Sequence, residues 1–233
     1  IVGGRKSSFS SSGGLVVGES NTSSNLWTSV SGGLRNTASG LYSSVSGGRE
    51  NMASGYNSSL SGGMLNTASG FWSSISGGRN NSASGYFSSI SGGQYNAASG
   101  NQSSVSGGTT NTASGVWSSV SGGDRNLAFA VRSSVSGGLL NTASGIDSWA
   151  GGGYNNTALG VCSSVSGGGR NVAFAYSSSI SGGFYSTASG GYSSVSGGRF
   201  NTAGGFASSV SGGNSRNALG ADNWVAGSLF EPN

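Results

Sequence analysis

Histidine is absent from all 233 residues, so no Ser-His-Asp triad, histidine metal site or imidazole proton shuttle can be assembled. A single cysteine, Cys162, excludes an internal disulfide. Charge is scarce at 7% of residues, and the six carboxylates Glu19, Glu50, Asp124, Asp147, Asp222 and Glu231 are scattered. A glycosidase pair and an Asp-rich calcium repeat both need acids gathered at short spacing, so neither is expected. No Walker-type Gly-x-x-x-x-Gly-Lys occurs, and the Ile1-Val-Gly-Gly start, which matches mature trypsin-like proteases, has no triad behind it. The chain reads as a non-enzyme with no cofactor and no metal. No stretch approaches the ~20 apolar residues of a membrane-spanning helix, and no charged-then-apolar leader precedes Ile1. The ten basic residues, several of them at one recurring corner (Arg35, Arg49, Arg79, Arg125, Arg170, Arg199), are too sparse for a nucleic-acid binder and read as a solvated edge.

What is abundant is glycine, 47 residues against one proline, with 33% apolar residues. Composition alone would suggest disorder, but the order of residues is strict. The unit Asn-Thr-Ala-Ser-Gly-x-x-Ser-Ser-Val-Ser-Gly-Gly-x-x recurs every 15 residues, with apolar centres at Val30, Val45, Leu60, Ile75, Ile90, Val105 and onward to Val225. A second row of centres runs Ala38, Ala53, Ala68 and onward to Ala218 without a slip. So short a period, held over about 14 units, means coils that bury their inner face only by stacking on neighbours. The expected fold is all-β: a β-solenoid, or parallel β-roll, with two short strands per coil and the form of a rod. Residues 1–20 read as an N-terminal cap with an irregular first coil, 21–220 as the repeat solenoid in one domain, and 221–233 as a C-terminal cap. Trp224, Leu229 and Phe230 are the apolar residues of that second cap.

Within the coil Asn36–Glu50, strand alternation places Ala38 and Val45 inside and Thr37, Ser39, Ser44 and Ser46 outside. Alanines facing Val, Ile or Leu suit a thin, flat interior. Asn36 and its equivalents precede a strand, where stacked side chains can bond along a ladder. Gly40 and its equivalents end one strand, the Gly47-Gly48 pair ends the other, and both are expected to supply the positive φ of a tight corner. Five Asn-x-Ser/Thr sequons, at Asn21, Asn57, Asn80, Asn101 and Asn155, are expected by chance in so Asn- and Ser-rich a chain.

The half-coils x-x-Asn-Thr-Ala-Ser-Gly and x-x-Ser-Ser-Val-Ser-Gly-Gly resemble the x-x-Asn-x-Val-x-Gly motif of grass ice-recrystallisation-inhibition proteins. Ala stands where that motif has Val in the first half; Ser replaces Asn in the second, which also gains a Gly. The resemblance, over residues 21 to about 220, implies an ice-binding β-roll. The same spacing is similar to the heads of bacterial trimeric autotransporter adhesins, which implies a left-handed roll and a trimer, although no heptads are present. Both imply a secreted or cell-surface protein. The first implies an ice surface as partner; the second implies a host surface or glycan, or self-association, as in an adhesin head or structural filament rod.

Two outward faces are candidate contacts. On the Val side the pairs Ser44/Ser46, Ser59/Ser61, Ser74/Ser76, Ser89/Ser91, Ser104/Ser106, Ser119/Ser121 and Ser134/Ser136 make a nearly uniform double file of hydroxyls. Coils about 4.7–4.9 Å apart, with alternate residues about 6.5–7 Å apart along a strand, make that file a regular lattice close to repeats of ice. On the Ala side the reserve face carries Thr37/Ser39, Thr67/Ser69, Thr112/Ser114 and Thr142/Ser144, interrupted by Met52, Leu127 with Phe129, Leu159, and Val172 with Phe174. The x-x corners have diverged while Ser-x-Ser has not, which singles out the Ser face. Corner aromatics such as Tyr42, Trp72, Phe87, Trp117 and Tyr192 are expected to pack on one another, and Trp149 and Trp224 each replace a ladder serine.

Overall fold

The structure is a computed structural model that describes residues 3–10 and 12–227. Two compact units divide it, one ending at Gly122 and one beginning at Gly123. Each is a parallel β-solenoid of two-residue strands, two to a coil, and the described residues contain no helix. In the first unit one sheet runs from Ser8–Phe9 to Thr112–Ala113 and the other from Leu15–Val16 to Ser119–Val120. In the second they run from Leu127–Ala128 to Asn217–Ala218 and from Ser134–Val135 to Trp224–Val225. Neighbouring coils pair like on like, as in Ser74↔Ser89 with Ile75↔Ile90 and Thr142↔Thr157 with Ala143↔Ala158. A third ladder of single bridges follows the Gly-Gly corner, for example Leu34↔Arg49↔Met64.

The inner rows are closed to solvent. Ala38, Ala53 and Ala68 on one side and Val45, Leu60 and Ile75 on the other are 0–1% exposed. Such a thin interior has room for one large row only, and a methyl facing a branched side chain fills it.

Polar ladders flank these rows and are equally buried. Asn66 Nδ2 donates to the Gly62 and Gly78 carbonyls at 3.1 and 3.0 Å, and its Oδ1 accepts the Asn81 N–H at 2.9 Å. Each such Asn therefore satisfies a corner carbonyl of its own coil, adds a second donor to one that already accepts a backbone N–H, here that of Met64, and ties one coil to the next, which explains its recurrence. At Ser186 the ladder weakens: its hydroxyl accepts the Asn201 N–H at 3.4 Å and carries no amide to replace the two Nδ2 bonds. In the other half of the coil the equivalent place is a buried serine. Ser73 and Ser88 donate to a carbonyl three residues back at 2.8 Å, whereas the Oγ atoms of Ser43, Ser58 and Ser103 have no partner.

The glycines act differently from the expectation. Gly40 has no left-handed φ; a Cβ there would lie 2.0 Å from the Gly55 carbonyl oxygen of the next coil, so glycine is required by close approach. In the Gly47-Gly48 pair only the second residue, with φ +88°, is left-handed, and Gly47 meets nothing within 4 Å. The other left-handed positions belong to the variable corners: Arg35, Tyr42, Glu50 and Trp72 have φ between 53° and 61°. That conformation costs roughly 1–2 kcal/mol for a residue with a Cβ. It is held by a backbone bond to the preceding coil, Trp72 N–H to the Tyr56 carbonyl at 2.8 Å and Glu50 N–H to the Leu34 carbonyl at 2.9 Å.

The first coil is one residue short, since Ser8 pairs with Thr22 and Leu15 with Ser29. Phe9 occupies the inner alanine position there, and its ring lies over Gly14, where a Cβ would come within 2.7 Å of Phe9 Cε2. At the other end Trp224–Val225 still pairs with Ser209–Val210 as an ordinary strand. Leu229 and Phe230, expected in the C-terminal cap, lie outside the described residues, as do Ile1 and Val2.

Candidate functional site

The Ser-x-Ser face is built by backbone registration. Ser44, Ser59, Ser74, Ser89, Ser104 and Ser119 stand in direct register on parallel strands of the first unit. Their partners Ser46, Ser61, Ser76, Ser91, Ser106 and Ser121 lie just past those two-residue strands instead of within them. Bonds to the next coil fix this second row as well. The N–H groups of Ser46, Ser61 and Ser76 donate to the Leu60, Ile75 and Ile90 carbonyls at 2.8, 3.0 and 3.0 Å, and those of Ser91 and Ser106 to the Val105 and Val120 carbonyls at 3.1 and 3.0 Å.

Between each pair an apolar residue points inward and is buried, so both serines point outward. The two rows are not equivalent, as the uniform double file had implied. Ser46, Ser61, Ser76, Ser91, Ser106 and Ser121 are exposed, whereas the strand serines are half-buried except for exposed Ser59. A residue paired on both sides within a ladder is flanked by its neighbours' side chains, and one at the strand's end opens toward the corner. The side-chain hydrogen bonds among the described residues engage none of the hydroxyls from Ser44 to Ser121 on this face. Those hydroxyls are available to solvent, on a backbone that has already lost its conformational freedom.

Ser134 and Ser136 belong to the second unit and sit in a different setting. Ser134 pairs with Trp149, whose indole Nε1–H donates to Ser136 Oγ at 3.0 Å. The indole also lies over Gly151, where a Cβ would meet Trp149 Cη2 at 2.8 Å. Trp224 repeats the device by donating to Ser211 Oγ at 2.8 Å, with Ala226 two residues on. The signal was in the sequence: each Trp is followed two positions later by a residue smaller than Ser, and at Gly151 that is the place the ring covers. In the second unit the indoles thus engage Ser136 and Ser211, and the hydroxyls of Ser134, of Ser164/Ser166 through Ser194/Ser196 and of Ser209 have no side-chain hydrogen bond.

The reserve face is less regular. In the first unit Thr37/Ser39 and Thr67/Ser69 face outward, with Ser69 exposed and its N–H bonded to the Ala83 carbonyl at 2.9 Å, but Met52 protrudes between them and Ala97 replaces a threonine. Ser114 departs from the expected pattern. Its Oγ is shut off from solvent and has no hydrogen-bond partner, so Thr112/Ser114 presents one usable hydroxyl instead of two. In the second unit Thr142/Ser144 lies between Leu127 and Thr157 on the paired strands, and Ser144 is half-buried, its N–H bonded to the Ala158 carbonyl at 2.9 Å. The neighbouring Phe129 and Phe174 are 61% and 56% exposed and break any plane.

No titratable side chain lies on the Ser-x-Ser face. The ion pairs among the described residues sit at the corners: Arg35 and Arg49 contact Glu50 at 3.3 and 3.2 Å, and Arg132 forms a two-point contact with Asp147. The hydrogen bond from Arg49 holds the Glu50 carboxyl below its ordinary value, and that from Arg132 does the same for Asp147. Among the described residues no three His, Cys, Asp or Glu side chains converge on a point that could hold a metal. No helix among them is long and apolar enough to cross a membrane. No family model and no curated protein matches the chain.

Proposed function

We propose that the protein binds ice through the Ser-x-Ser face of its first unit, with Ser44/Ser46 through Ser119/Ser121 as the contact. The observation that carries this reading is the register: identical outward serines, coil after coil, with no intramolecular partner for any of those hydroxyls. The mechanism needs no bond chemistry. Hydroxyls about 4.7–4.9 Å apart from coil to coil meet ordered water as a pre-arranged array, and many weak contacts act together because the scaffold has no further ordering entropy to lose. On this reading the protein works outside the cell, where ice grows.

The test is ice-crystal shaping and recrystallisation with the parent protein and with a Ser89→Tyr, Ser119→Tyr variant. The expected result is arrested or shaped growth by the parent and loss in the variant. Activity in both would transfer the contact to the Thr37/Ser39 face, and an inert parent would remove the ice reading in favour of a surface adhesin or filament.

A further inference from the structure

The two corners of the first unit differ in character. From Leu26 to Trp117 the corner that follows Gly40 and its equivalents carries no charged residue in any coil, whereas the opposite corner holds Arg35, Arg49, Glu50 and Arg79. The uncharged corner is aromatic and open: Trp27 is 59% exposed, and Tyr42, Phe71, Trp72, Tyr86 and Phe87 are exposed with it. Scattered apolar side chains are ordinary on a protein surface; a continuous strip marks an interaction site.

The rings form two files set across each other. Trp72 and Phe87 stack at 5.0 Å with an 8° angle, and both stand edge-on to Tyr86, at 77° and 84°. Tyr56, Phe71 and Tyr86 follow one another at 5.7 and 6.0 Å, tilted by 33° and 29°. The stacked pairs cover part of each other's faces, and 40–52% of Phe71, Trp72, Tyr86 and Phe87 stays exposed. Amides continue the strip: Asn101 Oδ1 accepts the Tyr86 N–H at 3.2 Å, and Gln102 Oε1 accepts the Trp117 indole N–H.

We infer that this aromatic corner is a binding site for an extended neutral polysaccharide, with sugar rings lying along successive coils. Pyranose rings present C–H faces that stack on aromatic faces, and rim hydroxyls that meet phenols, indole N–H groups and amides. One coil rises about 4.7–4.9 Å, comparable with one pyranose unit of a β-linked chain. The absence of charge leaves no basis for holding an anionic polymer. A dry protein interface would bury the phenols of Tyr42 and Tyr86 and the amides of Asn57 and Asn101 without assured partners, whereas a hydroxyl-rich polymer can satisfy them. The site is separate from the Ser-x-Ser face and does not depend on ice binding.

The experiment is retention of the full chain on insoluble cellulose and chitin, with affinity electrophoresis in soluble hydroxyethylcellulose and alginate as the anionic comparison. The parent is expected to be retained by the neutral polymers equally at low and high salt and to ignore alginate. A Trp72→Ala, Tyr86→Ala variant should bind about tenfold or more weakly while keeping the parent's circular dichroism, melting temperature and effect on ice. Arg79→Ala, on the opposite corner, should bind as the parent does. Absence of retention on every neutral polymer overturns the proposal, as does equal retention of the double variant. Sedimentation closes the remaining route: self-association of the parent that the double variant abolishes, without polymer binding, would make the occupant a second copy of the chain and overturn the proposal.

Discussion

At the scale of single residues, the two buried polar ladders make opposite demands. Asn66 is the one partner of the Gly62 carbonyl and the Asn81 N–H, and adds a second donor to the Gly78 carbonyl, which also accepts the Met64 N–H. Asn66→Ala is expected to lower stability by about 2–4 kcal/mol, the cost of leaving such groups unpaired, read as a drop in the urea midpoint. Ser58→Ala should change the midpoint by less than the equivalent of about 0.5 kcal/mol, because its hydroxyl is buried without a partner already. The glycines separate in the same way. Gly77 meets nothing and has no left-handed φ, so Gly77→Ala should be neutral or stabilising by up to about 1 kcal/mol. Gly70→Ala would set a Cβ 2.1 Å from the Gly85 carbonyl oxygen and should prevent normal stacking, seen as loss of the cooperative thermal transition.

At the scale of the coil, the weak point is Ser186. Ser186→Asn would give the Gly182 carbonyl a donor, add a second to the Gly198 carbonyl, which already accepts the Phe184 N–H, and replace the 3.4 Å acceptor for Asn201. The expected gain is about 1–2 kcal/mol, measured as a higher melting temperature. The coil is also where sequence and structure can be compared. Ala38 facing inward beside Val45, and Asn36 stacked on Asn51, are readable because alternation and a fixed period leave those side chains only one place to go. The same pattern places Ser44 and Ser46 as outward hydroxyls. It does not report that Ser76, Ser91 and Ser106 stand more open than Ser74, Ser89 and Ser104, because alternation assigns a side and not a degree of exposure. The role of Gly40 is not readable either, since a close approach between coils is a tertiary distance that no residue spacing reports. Nor is the left-handed φ of Tyr42 and Arg35, because it is imposed by a hydrogen bond from the neighbouring coil on residues with no local preference for it. Ser134/Ser136 reads as another equivalent pair, and only the fold of Trp149 back over Ser136 takes the Ser136 hydroxyl out of the free array. Ser114 reads like Ser69 and Ser144, yet its hydroxyl alone of the three is enclosed without a partner.

At the scale of the whole molecule, none of the ionised groups among the described residues lies on the Ser face: they sit at the corners, with Arg216 in the asparagine row, so that face should be indifferent to pH. Ice activity is expected to stay flat from mildly acidic to mildly alkaline conditions, checked by recrystallisation assays across buffers. Stability behaves otherwise to a small degree. Glu50 and Asp147 have carboxyls held below their ordinary range by their arginine partners. Their contribution is therefore present at neutral pH, where both folded and unfolded forms are ionised, and is lost as pH falls through the depressed values. Both pairs are exposed, so the acid shift in melting temperature should be slight, should shrink in high salt, and should be partly removed by Asp147→Asn.

Coils that pair like on like also present the unfolded chain with a problem of address. Within either unit, sliding one segment past another by a full repeat puts asparagine on asparagine, alanine on alanine and valine on valine, so frameshifted stacks have nearly the native energy. What separates them is the set of places where the pattern is broken. Phe9 fits where Gly14 has vacated the interior, and the Trp149 indole lies down where Gly151 and Ser136 receive it. Each break marks its own coil, so a frameshifted stack carries it to different neighbours. The blemishes in an otherwise uniform text thus supply the differences that a funnel toward one alignment needs.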